Sequence, residues 1–290
     1  MNSPNAHLTK LVELALQEDL STVGDLTSQL FIAPDQVGSA QFVSRRTGIV
    51  AGWHVLAEVF RQVDPQLLFQ PVLTEGSTME PGQVIATVTG SVRSILGAER
   101  TALNFLQRLC AIATLTRTYV EKLAGLPVQI LDTRKTTPGW REIEKHAVRM
   151  GGGSNHRMGL YDGILIKDNH LAAIAGSKLE KLAQLQPLIE QARQSHPGIT
   201  IEVEVDTIDQ FQVVLPMKPD IILLDNMPVN ILKRCVQIRN EQNSSTLLEA
   251  SGGITLETLH QIALTGVDRI STGALTHSVK NLDIGLDYLL

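Results

Sequence analysis

Six apolar runs of strand length punctuate the chain after residue 126, and each ends abruptly in polar or charged residues before a stretch of helical character. The runs are "VQILDTRK", "GILIKDNH", "TIEVEVDT", "DIILLDNM", "TLLEASGG" and "DRISTGA". Nearly continuous apolar strands separated by helices predict a parallel sheet that is buried on both faces. The repetition favours a barrel of the (β/α) type, whose active site forms at the carboxyl ends of its strands.

The first hundred residues show a different pattern. Leu8, Leu11, Val12 and Ala15 recur at helical spacing, and the turn-forming segment "STVGDLTS" follows them. Residues 38–97 then read as short strands bounded by glycine and proline. This part of the chain is predicted to form a helix followed by a small β-rich domain.

The stretch "ERTALNFLQRLCAIATLTRTYVEKLAG" carries the strongest helical pattern, with Gly125 and Pro127 as its predicted stop. Arg100, Asn104 and Arg108 fall on one face at four-residue spacing. The opposite face is predicted to be apolar, through Ala102, Phe105, Leu106, Leu109 and Ala113. We expect this helix to bridge two domains.

Composition narrows the class of protein. The 290 residues carry a formal net charge of -5, which gives no general attraction to nucleic acid or to an anionic membrane. No apolar run reaches the length of a membrane span. Cys110 and Cys235 lack metal-binding or redox spacing and lie in apolar surroundings, so we expect buried thiols in a cytoplasmic protein.

Against this acidic background, positive charges gather at the predicted strand ends. Arg134 and Lys135 follow the first run, His156 and Arg157 follow three glycines, and Lys167 ends the second run. Arginine matches a carboxylate through two parallel hydrogen bonds, whereas lysine suits a phosphate or a single carboxylate. We predict a small substrate with two carboxylates, held beside a sugar phosphate. The competing interpretation pairs these cations with local acids such as Glu142 and Glu144.

Acids and glycines end the later strands. Glu204 or its alternating neighbour Glu202, together with Asp225, could bind ribose hydroxyls or a divalent cation. The loops "SGG" at 251–253 and "STGA" at 271–274 offer unobstructed backbone N–H groups for a phosphate.

A dedicated zinc site is not expected among the histidines. His146, His156 and His170 lie close in sequence, but they lack the usual ligand spacing and no cysteine joins them. We interpret His156 as a hydrogen-bond donor to the bound anion. The other histidines, His277 among them, give no functional signal.

The motifs together resemble one known family. "DTRKTTPGWREIEKHAVRMGGGSNHRMGLYDGILIKDNHL", with "ERTALNFLQRL" before it and "EVEVDT", "LLDNM", "EASGGIT" and "STGALTHS" after it, is similar to the quinolinate phosphoribosyltransferases. The resemblance implies an α/β protein, with an N-terminal α/β sandwich in residues 1–113 and an incomplete, seven-stranded α/β barrel in 114–275. Residues 276–290 are expected to pack back on the first domain. The family is a type II phosphoribosyltransferase, in agreement with the single acid in "IILLDNM".

The resemblance also implies a homodimer whose active site is shared between subunits, and it assigns roles residue by residue. The carboxylates of quinolinate would be held by Thr133, Arg134, His156, Arg157, Lys167 and, from the partner subunit, Arg100. The phosphates and ribose of phosphoribosyl pyrophosphate (PRPP) would be bound by Lys135, Glu204, Asp225, Ser251, Gly252, Gly253, Thr272, Gly273 and Ala274. Lys135, Glu204 and Asp225 would be catalytic. Glu204 and Asp225 would bind Mg2+, directly or through water.

The implied reaction transfers the phosphoribosyl group to quinolinate with loss of CO2, giving nicotinate mononucleotide for NAD synthesis. The chain departs from the family pattern at Cys110-Ala111, where Ser-Gly is expected, at His146, where Tyr is usual, and at Trp140, where Leu or Phe is common. None of these positions is a charged site residue. Three alternatives stay open: a paralogue associated with molybdate uptake that acts on another aromatic acid, a non-catalytic phosphosugar binder, and a Schiff-base aldolase using Lys167.

Overall fold

The computed structural model describes residues 4–175 and 179–289. These residues form two compact units, each built from more than one stretch of chain. The first unit takes the chain up to Arg117, then Thr136–Gly152, and then the chain from Ser278 onward; the second takes Thr118–Lys135 and Gly153–His277. The domain boundaries expected from the sequence stay a prediction.

An antiparallel sheet organises the first unit. The strands of this unit are β1 (Val37–Ser44), β2 (Gly48–Ile49), β3 (Leu68–Pro71), β4 (Thr78–Met79), β5 (Val84–Ser91) and β12 (Ile284–Leu289). The sheet order is β12-β1-β5-β3, so the strand nearest the C-terminus pairs with the first strand, and β2 and β4 form a separate small ladder. Its helices are α1 (Pro4–Leu20), α2 (Leu26–Phe31), α3 (Trp53–Val63), α5 (Arg141–Met150) and most of α4 (Val92–Lys122).

The helix α3 lies inside the segment predicted as strands only, and it is the main element that the hydrophobic pattern did not reveal. Its sequence "WHVLAEVFRQV" contains β-branched and aromatic residues that favour strands. The same residues also recur with helical spacing, and Val55, Leu56, Val59 and Phe60 are fully buried. Burial of this face against the sheet overrides the local strand preference.

The long helix α4 confirms the strongest helical pattern and extends it. It begins at Val92, seven residues before the predicted Glu99, and ends at Lys122, just before Gly125. The predicted apolar side is buried, and Phe105 stacks on Trp140 with ring centroids 4.5 Å apart. The exposed Arg100 and Asn104 lie on the polar side.

A parallel sheet forms the second unit, and each of the six predicted runs supplies one strand. The strands are β6 (Gln129–Leu131), β7 (Ile164–Ile166), β8 (Ile201–Val205), β9 (Ile221–Asp225), β10 (Leu247–Ser251) and β11 (Arg269–Ser271). They pair in the order β6-β11-β10-β9-β8-β7. The pairing of the last strand with the first, through Ser271 and Leu131, is the pairing that curls such a sheet into a barrel.

The barrel is incomplete, as expected. Ser154 makes a one-residue parallel bridge to Leu131 and occupies the place of a further strand beside β6. Within the described residues, no ladder joins Ser154 to β7, so the ring is open at that point. The strands are followed by α6 (Asp168–Ala175), α7 (Leu185–Ser195), α8 (Ile208–Val214), α9 (Val229–Glu241), α10 (Leu256–Ala263) and α11 (Ala274–His277), with single 3-10 helical segments at Leu179–Gln184 and Leu215–Met217.

Among the helices of the described chain, none combines the length and apolar character needed to cross a lipid bilayer.

Candidate active site

The carboxyl ends of the parallel strands carry the predicted site residues of the second unit. Residues 133–135 follow β6, Lys167 follows β7, and Glu204 lies near the end of β8. Asp225 and Ser251 are the last residues of their strands and are direct partners across the ladder between β9 and β10. Because parallel strands present their carboxyl ends at one edge, the fold gathers these side chains at one mouth.

Arg134 follows β6, and its guanidinium group interacts electrostatically with that of Arg157. Arg157 itself lines a cavity beside Ile164 and Ile221, the first residues of their strands. Burial lowers the pKa of Arg157 from its ordinary value, and the neighbouring charge of Arg134 lowers it further. Arg157 is held in place because its Nη1 donates a hydrogen bond of 2.8 Å to the backbone oxygen of Gly163. Two like charges held together in this way favour an anion between or beside them.

The imidazole of His156 is engaged by the protein itself. Its Nδ1 accepts a hydrogen bond of 2.8 Å from the backbone N–H of Arg157, and its Nε2 lies 2.9 Å from Glu202 Oε2. Nδ1 therefore acts as acceptor while Nε2 carries the proton toward Glu202. Burial by itself would lower the pKa of His156, but the carboxylates of Glu202 and Glu249 outweigh it and raise this pKa. The predicted contact between His156 and quinolinate stays a prediction.

Glu202 and Glu249 form a buried carboxylate pair beneath His156. Glu249 Oε1 lies 3.5 Å from His156 Nε2, and its Oε2 accepts a hydrogen bond of 2.7 Å from Arg269 Nε. Burial raises the pKa of Glu249, and the charge of Glu202 raises it further. One oxygen of each carboxylate, Oε1, has no hydrogen-bond partner among the described residues. Burial and the neighbouring carboxylate thus both favour uptake of a proton by Glu249.

A buried aspartate fixes the loop that carries His156. Asp132 follows β6 and is fully buried. Its Oδ1 accepts a hydrogen bond of 2.9 Å from the backbone N–H of His156, and its Oδ2 accepts one of 2.6 Å from Asn155 Nδ2. The carboxylate therefore ties the glycine-rich segment before His156 to the end of β6.

The neighbouring strand ends line a cavity of about 450 Å³ that is rich in carboxylates. Five acids line this cavity: Asp168, Glu204, Asp206, Asp209 and Asp225. Lys167 Nζ lies 3.0 Å from Glu204 Oε2, with the lysine side chain 46% exposed and the glutamate 12% exposed. Glu204 therefore lies at the mouth, whereas the alternating Glu202 is buried. The role of Glu204 toward ribose or a cation stays a prediction.

The carboxylates of this cavity fit a Mg2+ ion that arrives with a phosphate ligand. Hard oxygen donors suit Mg2+, which keeps several waters and uses only one or two protein carboxylates beside substrate phosphates. Among the described residues, Glu204 and Asp225 belong to no group of three converging ligands. The two acids thus fit a shared, water-rich site better than a preformed protein cage.

The glycine loop after β10 approaches the end of β9 closely. Gly252 has a φ of +89°, and a Cβ there would lie 2.3 Å from Asn226 Oδ1. Asn226 in turn donates a hydrogen bond of 2.6 Å to Asp225 Oδ2, and its backbone N–H donates one of 2.9 Å to Ser251. Only glycine satisfies both the backbone conformation and the close packing at position 252.

The loop after β11 lies against the stem of Lys135. A Cβ at Gly273 would lie 2.8 Å from both Lys135 Cδ and His277 Cδ2. Thr276 Oγ1 donates a hydrogen bond of 2.7 Å to the backbone oxygen of Lys135, which joins the two loops. Lys135 is itself exposed, so its ammonium group can reach a ligand at the mouth.

Arg100 belongs to the first unit, on the exposed side of α4. Within the described part of the chain, no hydrogen bond or ion pair engages its guanidinium group. It borders a cavity of about 260 Å³ together with Glu18, Asp19, Asn104 and Trp140. An exposed guanidinium is compatible with the predicted role toward a partner subunit.

Several residues of the mouth were not identified from the sequence. Asp168 lines the acidic cavity, Asn226 supports Asp225, and His277 lies beside Lys135 and Gly273. The position of Asp168 directly after Lys167, at the end of an apolar run, was a usable signal. Asp132 and Glu249 lie within apolar runs. Because a buried acid needs a hydrogen-bond partner, their position indicates that another part of the chain supplies one.

Comparisons with known proteins agree with this geometry. The family model for the quinolinate phosphoribosyl transferase C-terminal domain matches residues 112–287, and the model for the N-terminal domain matches residues 25–110. The chain belongs to the quinolinate phosphoribosyltransferase family. The resemblance seen in the sequence is confirmed, and so is the α/β class with an N-terminal sheet domain and a C-terminal barrel.

Individual relatives cover almost the whole chain. A nicotinate-nucleotide pyrophosphorylase [carboxylating] of Mycobacterium leprae is 42% identical over 280 residues, which is 95% of each chain. A probable nicotinate-nucleotide pyrophosphorylase [carboxylating] of Bacillus subtilis is 44% identical over 98% of this chain and 94% of its own. The solved nicotinate-nucleotide pyrophosphorylase of Francisella tularensis superposes with a TM-score of 0.90 at 36% identity, over 99% of this chain and 98% of that one.

Proposed function

We propose that this family member catalyses the decarboxylating transfer of the phosphoribosyl group of PRPP to quinolinate, which yields nicotinate mononucleotide, pyrophosphate and CO2 for NAD synthesis. One observation carries the proposal: Arg134, Lys167, Glu204 and Asp225 lie at, or directly after, the carboxyl ends of the strands in a barrel of this family. A pyridine dicarboxylate needs the cations, and a reacting ribose needs the acids.

Quinolinate is bound by the cationic side of the mouth. Arg134 and Arg157 face its two carboxylates, with Lys167 and the Thr133 hydroxyl completing the set. Each charge-assisted hydrogen bond contributes about 1.5–3 kcal/mol when partly shielded from water. His156 Nδ1 accepts a hydrogen bond from the backbone N–H of Arg157, so His156 acts here chiefly by positioning Arg157. Its ring stays bound to Glu202.

PRPP is bound by the opposite side. The backbone N–H groups of 251–253 and 272–274 receive the 5'-phosphate, and Lys135 faces the pyrophosphate. Support comes from the close packing of Gly252 and Gly273, which leaves no side chain between backbone and ligand at either loop. Glu204 and Asp225 accept hydrogen bonds from the ribose hydroxyls.

We propose Mg2+ as the cofactor, which Glu204 and Asp225 would hold directly or through water. When bound, it neutralises charge on the departing pyrophosphate. The acids of the mouth also stabilise the positive charge that grows on the anomeric carbon as the leaving group departs.

Transfer and decarboxylation follow in sequence. The pyridine nitrogen forms a bond to the anomeric carbon while the bond to pyrophosphate breaks. The ring nitrogen is then cationic, so the electron pair of the breaking bond to the 2-carboxylate passes to the ring carbon, CO2 leaves, and that carbon takes up a proton. The protein contributes position and electrostatics with no covalent intermediate. A ribosyl adduct on Glu204 or Asp225, detected by mass spectrometry of the quenched enzyme, would contradict this point.

The proposal includes a homodimer in which Arg100 of one subunit completes the quinolinate site of the other. The exposure of Arg100 in the first unit supports this role. The proposed location is the cytoplasm, which the two unpaired, buried cysteines Cys110 and Cys235 favour because a reducing compartment keeps thiols free.

Acceptor choice tests the proposal. The purified chain is incubated with PRPP, Mg2+ and either quinolinate or nicotinate, and nicotinate mononucleotide is measured by liquid chromatography. Formation from quinolinate alone supports the assignment. Binding of PRPP without product from quinolinate would point instead to a relative acting on another aromatic acid, or to a phosphosugar binder.

A further inference from the structure

Three side chains of the types that can bind a metal ion lie close together in the first unit. His54 is in the first turn of α3, Glu75 is in the loop before β4, and His146 is on α5. One ligand atom from each of the three side chains lies within 4.8 Å of the others. The ligands come from three separate stretches of chain, so no sequence spacing announces them.

Glu75 is held in a fixed orientation. Its Oε1 accepts hydrogen bonds from the backbone N–H groups of Gly52 and Trp53 at the start of α3, the second at 3.0 Å. Its Oε2 lies 2.9 Å from His146 Nε2. Burial alone would raise the pKa of Glu75, but the hydrogen bond with His146 and the backbone donors lower it to about 2. A charged carboxylate oxygen therefore faces the histidine at neutral pH.

The two imidazoles face each other with ring centroids 4.4 Å apart and their planes at 69°. Partial burial of the ring lowers the pKa of His54, and the adjacent His146 lowers it further, which favours the neutral ring that a metal ion requires. The rest of the His54 side chain is exposed, so solvent reaches the cluster on that side.

We propose that His54, Glu75 and His146 form a binding site for a divalent transition-metal ion of the Zn2+ type. Two imidazoles and one carboxylate make up a donor set that zinc uses, with the remaining position open to water. Ligand atoms about 2.0–2.2 Å from a tetrahedral zinc ion lie about 3.4 Å from each other, so the ion would replace the hydrogen bond between Glu75 and His146 and part its two atoms, now 2.9 Å apart, by about half an ångström. A ring nitrogen of His54, within 4.8 Å of both other ligand atoms, would complete the set.

The positive charge of Arg149 should weaken metal binding at the cluster, which gives a separate test of the proposal. Its Nη2 lies 3.4 Å from His146 Nδ1, on the ring edge away from Glu75. The charge of this guanidinium repels a cation at the cluster, and its hydrogen bond favours the tautomer with a proton on Nε2. Removing the guanidinium should therefore tighten metal binding, whereas a purely structural His146–Glu75 pair predicts no such gain.

Isothermal titration calorimetry with Zn2+ alone, on the full chain without PRPP or Mg2+, tests the site. The wild-type chain and the control His260→Gln, an exposed histidine on α10, should bind Zn2+ equally. His54→Gln and His146→Gln should each weaken a saturable site by at least tenfold, and Arg149→Gln should strengthen it by a few fold. Circular dichroism checks that each variant is folded.

Two results would overturn the proposal. One is the absence of saturable Zn2+ binding by the wild-type chain at 100-fold excess of metal over protein. The other is binding that neither histidine variant weakens, which would assign the ion to another part of the molecule. Phosphoribosyl transfer should be unchanged in His54→Gln, because the cluster lies outside the proposed catalytic machinery, so failure here is distinguishable from failure of the proposed function.

Discussion

Lys167 and Glu204 form an ion pair at the mouth of the barrel, with Nζ 3.0 Å from Oε2. The lysine belongs to the proposed quinolinate set and the glutamate to the proposed PRPP set. Substrate binding must therefore separate them: the lysine exchanges one carboxylate for another, and the glutamate becomes available to the ribose. Only the lysine is half-exposed, whereas the glutamate is largely buried, so the lysine end of the pair is the one that a dianionic substrate can displace.

Replacing Glu204 by Gln removes the negative charge beside the reacting ribose and keeps the side-chain size. We expect kcat/KM for nicotinate mononucleotide formation to fall by about 100-fold or more, because the developing cation loses an electrostatic partner. Asp209→Asn is the matched control, since Asp209 lines the same cavity but lies on α8 rather than on a strand end. The control should stay within threefold of wild type. Equal losses in both variants would mean that the cavity responds to total charge and not to Glu204.

Gly252→Ala should disable the loop after β10. A methyl group there is placed 2.3 Å from Asn226 Oδ1, so the side chain that supports Asp225 must move. Gly198→Ala is the control, because Gly198 has a similar φ of +84° but no atom within 4 Å of the new methyl group. Both variants should lose about 1–2 kcal/mol of unfolding free energy through backbone strain. Only Gly252→Ala should weaken PRPP binding, by at least tenfold in calorimetry; an unchanged affinity would place the phosphate elsewhere.

Replacing each of the two buried carboxylates near His156 by an amide should change stability and the KM for quinolinate by different amounts. Glu202→Gln replaces the carboxylate oxygen that lies 2.9 Å from His156 Nε2, so we expect a loss of about 1–3 kcal/mol in unfolding free energy and a roughly tenfold higher KM for quinolinate. Glu249→Gln resembles the protonated state that burial already favours, and its KM should stay within threefold of wild type.

The pH dependence of stability gives a sharper form of the same prediction. Because the pKa of Glu249 is raised in the folded chain, the stability of wild type relative to Glu249→Gln is greatest below the unfolded pKa of 4.5. Wild type loses this advantage as the pH rises through the folded pKa. Urea unfolding at several pH values measures this difference. A difference that moves in wild type's favour as pH rises would show that Glu249 is ionised in the folded chain.

Subunit exchange tests the role of Arg100. Arg100→Ala and Glu204→Ala should each be nearly inactive alone, because one lacks a quinolinate contact and the other a ribose contact. Mixed dimers can assemble one intact site, so activity should return when the two variants are exchanged, toward a quarter of the wild-type value at full random mixing. No recovery, despite exchange proven by native mass spectrometry, would mean that Arg100 acts within its own subunit.

The strands of the second unit could be predicted because their apolar runs are continuous and end sharply. Such runs need burial on both faces, which only a parallel sheet covered by helices supplies. The helix α3 could not be separated from the strands around it, since its aromatic and β-branched residues fit either element until the packing is known.

The candidate site also has one part that the sequence predicts and another part that it does not. Arg134, Lys167, Glu204 and Asp225 stand at strand ends, so their convergence follows from topology alone. The pairing of His156 with Glu202 and Glu249 does not, because strands far apart in sequence bring those groups together and the buried protonation states depend on their mutual distances. Sequence spacing likewise cannot reveal how His54, Glu75 and His146 meet.

Release of labelled CO2 from quinolinate labelled in its 2-carboxylate tests the proposed decarboxylating transfer most directly. The assay contains the chain, PRPP and Mg2+, with parallel reactions that omit PRPP or add excess nicotinate as a competing acceptor. We expect CO2 release that depends on PRPP, equals the amount of nicotinate mononucleotide formed, and is little affected by nicotinate. Absence of CO2 release by a folded chain that binds PRPP would contradict it.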